Sequence, residues 1–336
     1  MQKLLVIQTA FIGDVVLATA MIEKLATFFP DAEIDFLVRR GNESLLQNNP
    51  HLHEVLIWNK KENKIKNLFK LLGKIRKRRY NKVINLQRFF ATGLLTAFSG
   101  AAESIGFDKN PLSFLFTTKV KHKIGINNKR HEVERNNDLI KHFTDDAFVM
   151  PRLYPSGADL ALIQQYCSNS YVTVTPGSVW FTKKYPIEKW IEVIGGFSRG
   201  YQIFLLGGKE NIAECNLITE TAGNANVTVL AGKLSFLQSA ALMKTAVMNY
   251  VNDSAPLHFA SAVNAKVTAV FCSTIPAFGY TPLSDVSHII ETNEHLDCRP
   301  CGLHGYKRCP EKHFKCALTI DPKRLIETLQ KTEIPV

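Results

Sequence analysis

No apolar run in the chain approaches the ~20 residues that a membrane-spanning helix needs. The opening run from Lys3 to Ile7 meets polar Gln8 too soon for a secretory signal, so a cytoplasmic protein is expected. Cysteine is sparse, seven in 336 residues, and in that compartment it serves as thiol or metal ligand more readily than as disulfide. Three nucleotide signatures are also missing. Without G-x-G-x-x-G after a first strand, an ordinary dinucleotide oxidoreductase is disfavoured, and without G-x-x-x-x-G-K-[ST] so is a P-loop NTPase. No Asp-x-Asp pair is present to hold a divalent metal between diphosphate oxygens, so a leaving diphosphate would have to be stabilised by the chain's own donors.

What is there suits a soluble globular protein: 46% of residues are hydrophobic and 21% charged, and the length allows two domains with separate cores. The formal charge of +11 favours an anionic partner. Most of it is local, because between Asn59 and Val83 eleven Lys and Arg stand against one acid, Glu62. Within this stretch Ile65, Leu68, Phe69, Leu72 and Ile75 fall at helical spacing, which predicts one buried face and one basic face. The basic face is open to two readings, a solvated helix surface or a patch for an anionic membrane. No recognition motif or aromatic-interleaved groove supports nucleic acid.

Strand and helix alternate through both halves, which predicts right-handed βαβ units and mostly parallel sheets. The first half reads as strands Lys3 to Ile7, Glu33 to Val38, Val55 to Trp58 and Lys82 to Leu86, with a helix from Val15 to Phe29 and the basic helix between them. Arg88 to Asp146 is less regular, with a polar loop from Lys119 to His131 and a helix from Glu132 to Phe143. Met150 to Ala158, rich in proline, is the expected linker. Two Rossmann-like α/β domains follow, 1–155 and 156–336.

Ligands of such sheets collect at the C-terminal ends of strands. In the second half three strand exits share a phosphate-binding character. The first is Thr175 to Pro186, a Gly-containing loop in which Ser178 with Lys183, or Lys184 one residue on, could clasp a diphosphate. The second, Leu206-Gly207-Gly208-Lys209-Glu210, lets a ligand approach the backbone and offers Glu210 to ribose hydroxyls. The third is Val251 to His258, where Asp253 or Ser254 can cap a helix, Pro256 suits its first turn, and Ser254 and His258 add a hydroxyl and an imidazole. An ordinary capped helix with a core histidine explains that last stretch equally well.

Taken in order, Gly13-Asp14, Pro176-Gly177-Ser178 with Trp180 and Lys183-Lys184-Tyr185-Pro186, Leu230-Ala231-Gly232-Lys233, and Asp253-Ser254-Ala255-Pro256-Leu257-His258 resemble the bacterial family-nine glycosyltransferases. These are the ADP-heptose:lipopolysaccharide heptosyltransferases and their relatives, and the resemblance runs from about residue 3 to about residue 330. It implies a GT-B fold of two facing Rossmann-like domains, the acceptor held by the first and the nucleotide sugar by the second. It also implies inverting transfer without a catalytic metal. Carried over by position, Asp14 is the general base, Ser178 and Lys183 bind diphosphate, with Lys184 as substitute, Glu210 contacts ribose or base, and Asp253, Ser254, Ala255 and His258 form the leaving-group cradle. Ala255 departs from a position where glycine is common.

Near the C-terminus Cys298, Cys301, Cys309 and Cys316, with His304 and His313 close by, suit a structural zinc site, reduced thiols packing a loop, or disulfides. The expected protein is therefore a heptosyltransferase-like enzyme that takes a nucleotide-sugar donor and a glycolipid acceptor at the inner face of the cytoplasmic membrane. Another nucleotide sugar, or a non-catalytic lipid- or nucleotide-binding role, is the alternative.

Overall fold

A computed structural model describes residues 1–125 and 129–333. The chain divides into two compact units, Met1–Tyr154 and Pro155–Val336. In the first unit β1 (Lys3–Ile7), β2 (Glu33–Arg39), β3 (Glu54–Trp58), β4 (Lys82–Asn85), β5 (Glu103–Phe107) and β6 (Thr118–Val120) form a parallel sheet in the order β3-β2-β1-β4-β5-β6. Its helices are α1 (Ile12–Phe28), α2 (Lys64–Arg78), α3 (Phe90–Ala97) and α4 (Glu132–Asn137). Leu4 to Ile7 have no exposed surface, as the central strand of a sheet covered on both faces requires. Helix α1 is apolar on nearly all sides and is buried from Val15 through Leu25.

The second unit repeats the plan. Strands β7 (Tyr171–Thr175), β8 (Gln202–Leu205), β9 (Val227–Val229), β10 (Met248–Asn252), β11 (Val267–Phe271) and β12 (Ser287–Glu291) lie in the order β12-β11-β10-β7-β8-β9, all parallel. Around them run α5 (Gly157–Ile163), α6 (Ile187–Gly195), α7 (Ile212–Thr221), α8 (Phe236–Thr245), α9 (Ala255–Ala262), α10 (Lys315–Leu318) and α11 (Pro322–Glu333). Trp190 of α6, fully buried, packs edge-on against Tyr185 in a core shared with Val172, Tyr250 and Leu325. In each sheet the order reverses beside the first strand, between β1 and β4 and between β7 and β10. The chain leaves those two strands in opposite directions and opens a crevice at their carboxyl ends.

The basic helix differs from the face read in its sequence. Leu68, Leu71 and Ile75 are its buried residues, whereas Ile65 is 70% and Phe69 57% exposed. The stripe thus follows i, i+3, i+7 from Leu68, and Phe69 is turned about 100° out of it. Its cations are also less free than a run of lysines suggests. Arg78 donates to Glu54 at 2.7 Å, Lys74 pairs with the same carboxylate, and Lys82 pairs with Glu103. The region from Arg88 to Asp146 holds α3, β5 and β6, elements too short for periodicity to show. Helix α4 stops at Asn137, and a 3-10 turn follows at Lys141–Phe143; two adjacent asparagines, weak helix formers, stand at its end. Residues 126–128 of the loop from Lys119 to His131 lie outside the described residues. Among the rest, Arg130 pairs with Asp138 at 2.6 Å, and His131 accepts the Val133 amide at the start of α4. No helix among the described residues is long and apolar enough to cross a membrane.

Candidate active site

The second unit places its phosphate-binding candidates on the exits of β7, β8 and β10. Strand β10 delivers the chain, fully buried, to Asn252 and then to buried Asp253. Asp253 does not cap the helix that follows. Its Oδ2 takes the Lys183 ammonium at 2.7 Å and the Thr274 hydroxyl at 2.6 Å. Ser254 occupies the N-cap position, but its hydroxyl donates back to the Asn252 carbonyl at 3.3 Å and makes no capping bond. The sequence reading of a side-chain cap is therefore corrected: a carboxylate with a lysine and a threonine in reach gains more from them than from one exposed amide. Pro256 sits in the first turn, where its missing N–H leaves no gap in the helix ladder. Buried His258 stands on the same turn, its ring 6.4 Å from that of Tyr280.

The loop after β7 is fixed to this corner by a residue that no motif marked. Asn252 Nδ2 donates to the Pro176 carbonyl at 2.6 Å, and its Oδ1 accepts the Tyr185 amide at 3.0 Å, so one buried amide holds both ends of the loop. Ser178 is half-buried between them, and Val179 at the tip is exposed. Lys183 closes a short 3-10 turn, Phe181–Lys183, whose Thr182 hydroxyl accepts from the Tyr306 amide at 2.7 Å and from the Ser273 hydroxyl at 3.0 Å. Lys184 points elsewhere and pairs with Glu214 of α7 at 3.2 Å. Lys183 ends the 3-10 turn and Lys184 opens the extended stretch after it, and this change of backbone separates the two neighbours.

At the exit of β8, Asn211 joins two loops. Its Oδ1 accepts the Gly208 amide at 3.1 Å, and a Cβ built on Gly177 would lie 2.4 Å from its Nδ2, so the first loop can pass only as glycine. The Glu210 carboxylate folds over Gly208, where a Cβ would lie 2.4 Å from its oxygens. Gly232, with φ of 73°, donates to the Gly207 carbonyl at 2.9 Å and brings the Leu230 to Lys233 motif to the same edge. Arg299 supports the neighbouring exit of β11, donating to the carbonyls of Cys272 at 2.7 Å and Thr274 at 2.8 Å and to Glu291 at 2.5 Å.

The four C-terminal cysteines do come together. With His313 they line one cavity of about 180 Å³ behind Thr182. Cys301 donates to the Cys298 carbonyl at 3.3 Å, and Cys298 lies 3.8 Å from His313 Nε2. Burial pushes the Cys316 thiol up to about 12 and raises that of Cys301, which keeps both protonated. Among the described residues no group of three or more His, Cys, Asp or Glu is arranged to hold a metal ion. All seven cysteines are free thiols.

In the first unit Asp14 is the third residue of α1, and its Oδ2 accepts the amide of Phe11 at 3.2 Å. It is thus held at the start of the helix without being its N-cap, and the helix dipole favours its ionised form. Two cations stand at the neighbouring strand ends. Arg39, at the end of β2, stacks over Phe11 at 5.1 Å and feels the Asp14 charge. Lys60, just past β3, donates to the Thr9 carbonyl at 2.7 Å and its hydroxyl at 2.9 Å.

The family model for glycosyltransferase family 9 (heptosyltransferase) matches residues 68–310. The lipopolysaccharide heptosyltransferase 3 of Escherichia coli is 29% identical over 278 residues, covering 79% of this chain and 82% of its own length. Among solved structures, the glycosyl transferase family 9 protein of Veillonella parvula superposes with a TM-score of 0.84 at 20% identity, over 98% of this chain and 97% of that one. The ADP-heptose lipopolysaccharide heptosyltransferase II of E. coli gives 0.80 at 22% identity, over 99% and 98%. The two parallel sheets are those of the GT-B fold, and the chain belongs to glycosyltransferase family 9, the heptosyltransferase family.

Proposed function

We propose that the protein transfers a heptose-like sugar from ADP-heptose to a lipopolysaccharide-core or related glycolipid acceptor, with inversion and without a catalytic metal. The observation that supports this most is the Lys183, Asp253 and Thr274 cluster beside the uncapped start of α9. Names of the relatives supply the sugar and the nucleotide. Asp14 removes the proton of the acceptor hydroxyl as that oxygen attacks the anomeric carbon. The bond from that carbon to the diphosphate breaks, and ADP leaves with the electron pair.

Negative charge grows on the diphosphate as the bond lengthens. Donors fixed in advance then bind the transition state more tightly than the ground state. The first-turn amides of α9, His258, Ser178 and Lys183 serve as those donors. Asp253 uses one of the three protons of the Lys183 ammonium and orients the other two. Ala255 and Ser254 line the cradle by their backbone, and Glu210 accepts from the ribose hydroxyls. No step calls on zinc: the cysteine cavity braces the Lys183 loop through Thr182 and Tyr306. Exposed Ile65 and Phe69, next to Lys66 and Lys70, form the contact with an anionic membrane surface.

The test is a transfer assay on the purified protein with rough lipopolysaccharide and ADP-, UDP- or GDP-linked sugars. Transfer from ADP-heptose alone is expected. Transfer only from a UDP- or GDP-sugar, or none at all, would overturn the reading.

A further inference from the structure

Helix α3 begins with residues that do not suit a helix start. Phe89 holds the N-cap position with the extended backbone of a cap but no side-chain bond, and Phe90 opens the first turn. A serine, threonine, aspartate or asparagine there would satisfy an orphan amide and stabilise the helix. Both phenylalanines are instead 57% exposed. A second apolar pair stands nearby. In Phe114-Leu115-Phe116 only the last ring is buried, lying on Gly106, where a Cβ would come 2.5 Å from it; Phe114 is 70% and Leu115 44% exposed at the 3-10 turn Ser113–Leu115. Buried Asn110 fixes this turn to α3. Its Nδ2 donates to the carbonyls of Gln87 and Phe89, both at 3.0 Å, and its Oδ1 accepts the Leu112 amide at 3.0 Å. Gly93 of α3 leaves it room, since a Cβ there would lie 2.1 Å from Asn110 Oδ1.

Four large apolar side chains held out on one stapled platform add nothing to the stability of the unit, because exposure forfeits their burial. Their surroundings are cationic. Arg88 lies over the Phe89 ring at 5.9 Å, Lys109 is exposed next to Asn110, and Lys119 and Lys121 are exposed on and just after β6, the edge strand beside β5. The acids of these segments are Glu103, paired with Lys82, and Asp108, whose carboxylate accepts the His122 amide at 3.0 Å. Apolar side chains flanked by Lys and Arg fit an anionic bilayer, where the rings enter the acyl boundary and the cations meet headgroups. We propose that Phe89, Phe90, Phe114 and Leu115 insert into such a surface as a second contact, separate from Ile65 and Phe69 of α2. This extends the membrane part of the proposed function and rests on it. The starts of α2 and α3 follow the carboxyl ends of β3 and β4, on the same edge of the sheet as Asp14, so insertion at both turns that edge toward the lipid.

The experiment is co-sedimentation of the full chain, without substrate, with vesicles of phosphatidylethanolamine and phosphatidylglycerol and with vesicles of phosphatidylcholine alone. The wild type should prefer the anionic vesicles. Phe114→Asp, and Phe89→Ser combined with Phe114→Ser, should weaken that binding by about 10-fold or more. Phe89→Ser by itself supplies the cap that α3 lacks, so its thermal midpoint should hold or rise while its vesicle affinity falls, a split that unfolding cannot produce. Folded variants that sediment as well as the wild type overturn this surface and leave the α2 contact standing. A wild type that does not sediment with anionic vesicles removes the membrane reading itself. Ultracentrifugation adds a further check: a concentration-dependent dimer of the wild type that the variants lose, with vesicle binding retained, assigns the patch to a second copy and overturns the proposal.

Discussion

The exits of β1 and β10 are built from the same parts, a buried strand, a short turn and a helix start bearing an aspartate, yet their charges are handled in opposite ways. At β10 the aspartate is buried, and both a lysine and a threonine converge on one of its oxygens, so the site arrives neutralised and rigid. At β1 the aspartate is partly exposed and accepts the Phe11 amide, while Arg39 and Lys60 stand with positive charge at the neighbouring strand ends. A neutral, pre-oriented corner suits a ligand whose charge grows during the reaction. A cationic corner beside a base suits a ligand that arrives already charged. In the proposed reaction the pairing pattern, more than the residue types, distinguishes the leaving-group corner from the acceptor-side corner.

The comparison breaks most severely at Asp14. Asp14→Asn should lower kcat by about 10²- to 10⁴-fold, the usual worth of a general base, without loss of fold by circular dichroism. Asp253→Asn should act on the other corner: with Lys183 released, ADP affinity should fall by about 10- to 100-fold, and acceptor KM should hold. Exchanging the exposed pair Ile65 and Phe69 for Asp should weaken sedimentation with anionic vesicles, by about 10-fold or more if both side chains enter the interface. Lys184→Ala should change donor affinity by less than ~1 kcal/mol, because its ammonium belongs to Glu214 at the surface of α7. Addition of EDTA should leave turnover unchanged.

Much of the architecture was legible in the sequence because buried parallel strands are nearly continuous apolar runs. The strand Lys3 to Ile7 has both ends read from pattern alone, and the strands from Glu33 and Lys82 begin where the pattern places them. The motifs located the strand exits. They did not reveal which partner each side chain would choose. Lys183 and Lys184 are equivalent as letters, and only the fold sends one to Asp253 and the other to Glu214. Ser254 has the chemistry of a cap, but its backbone directs the hydroxyl to Asn252. Asn252, Thr274 and Arg299 carry no motif, since their roles arise from carbonyls and amides that lie far away in sequence. Lys60 and Arg39 come from different strands, and their proximity is a property of the parallel register in which Arg39 faces Trp58.

Titration calorimetry of ADP against the wild type, Asp14→Asn and Asp253→Asn tests the division between the two corners most directly. Wild type and Asp14→Asn should bind ADP equally, and Asp253→Asn about 10- to 100-fold more weakly. Loss of ADP binding in Asp14→Asn with full affinity in Asp253→Asn would contradict it.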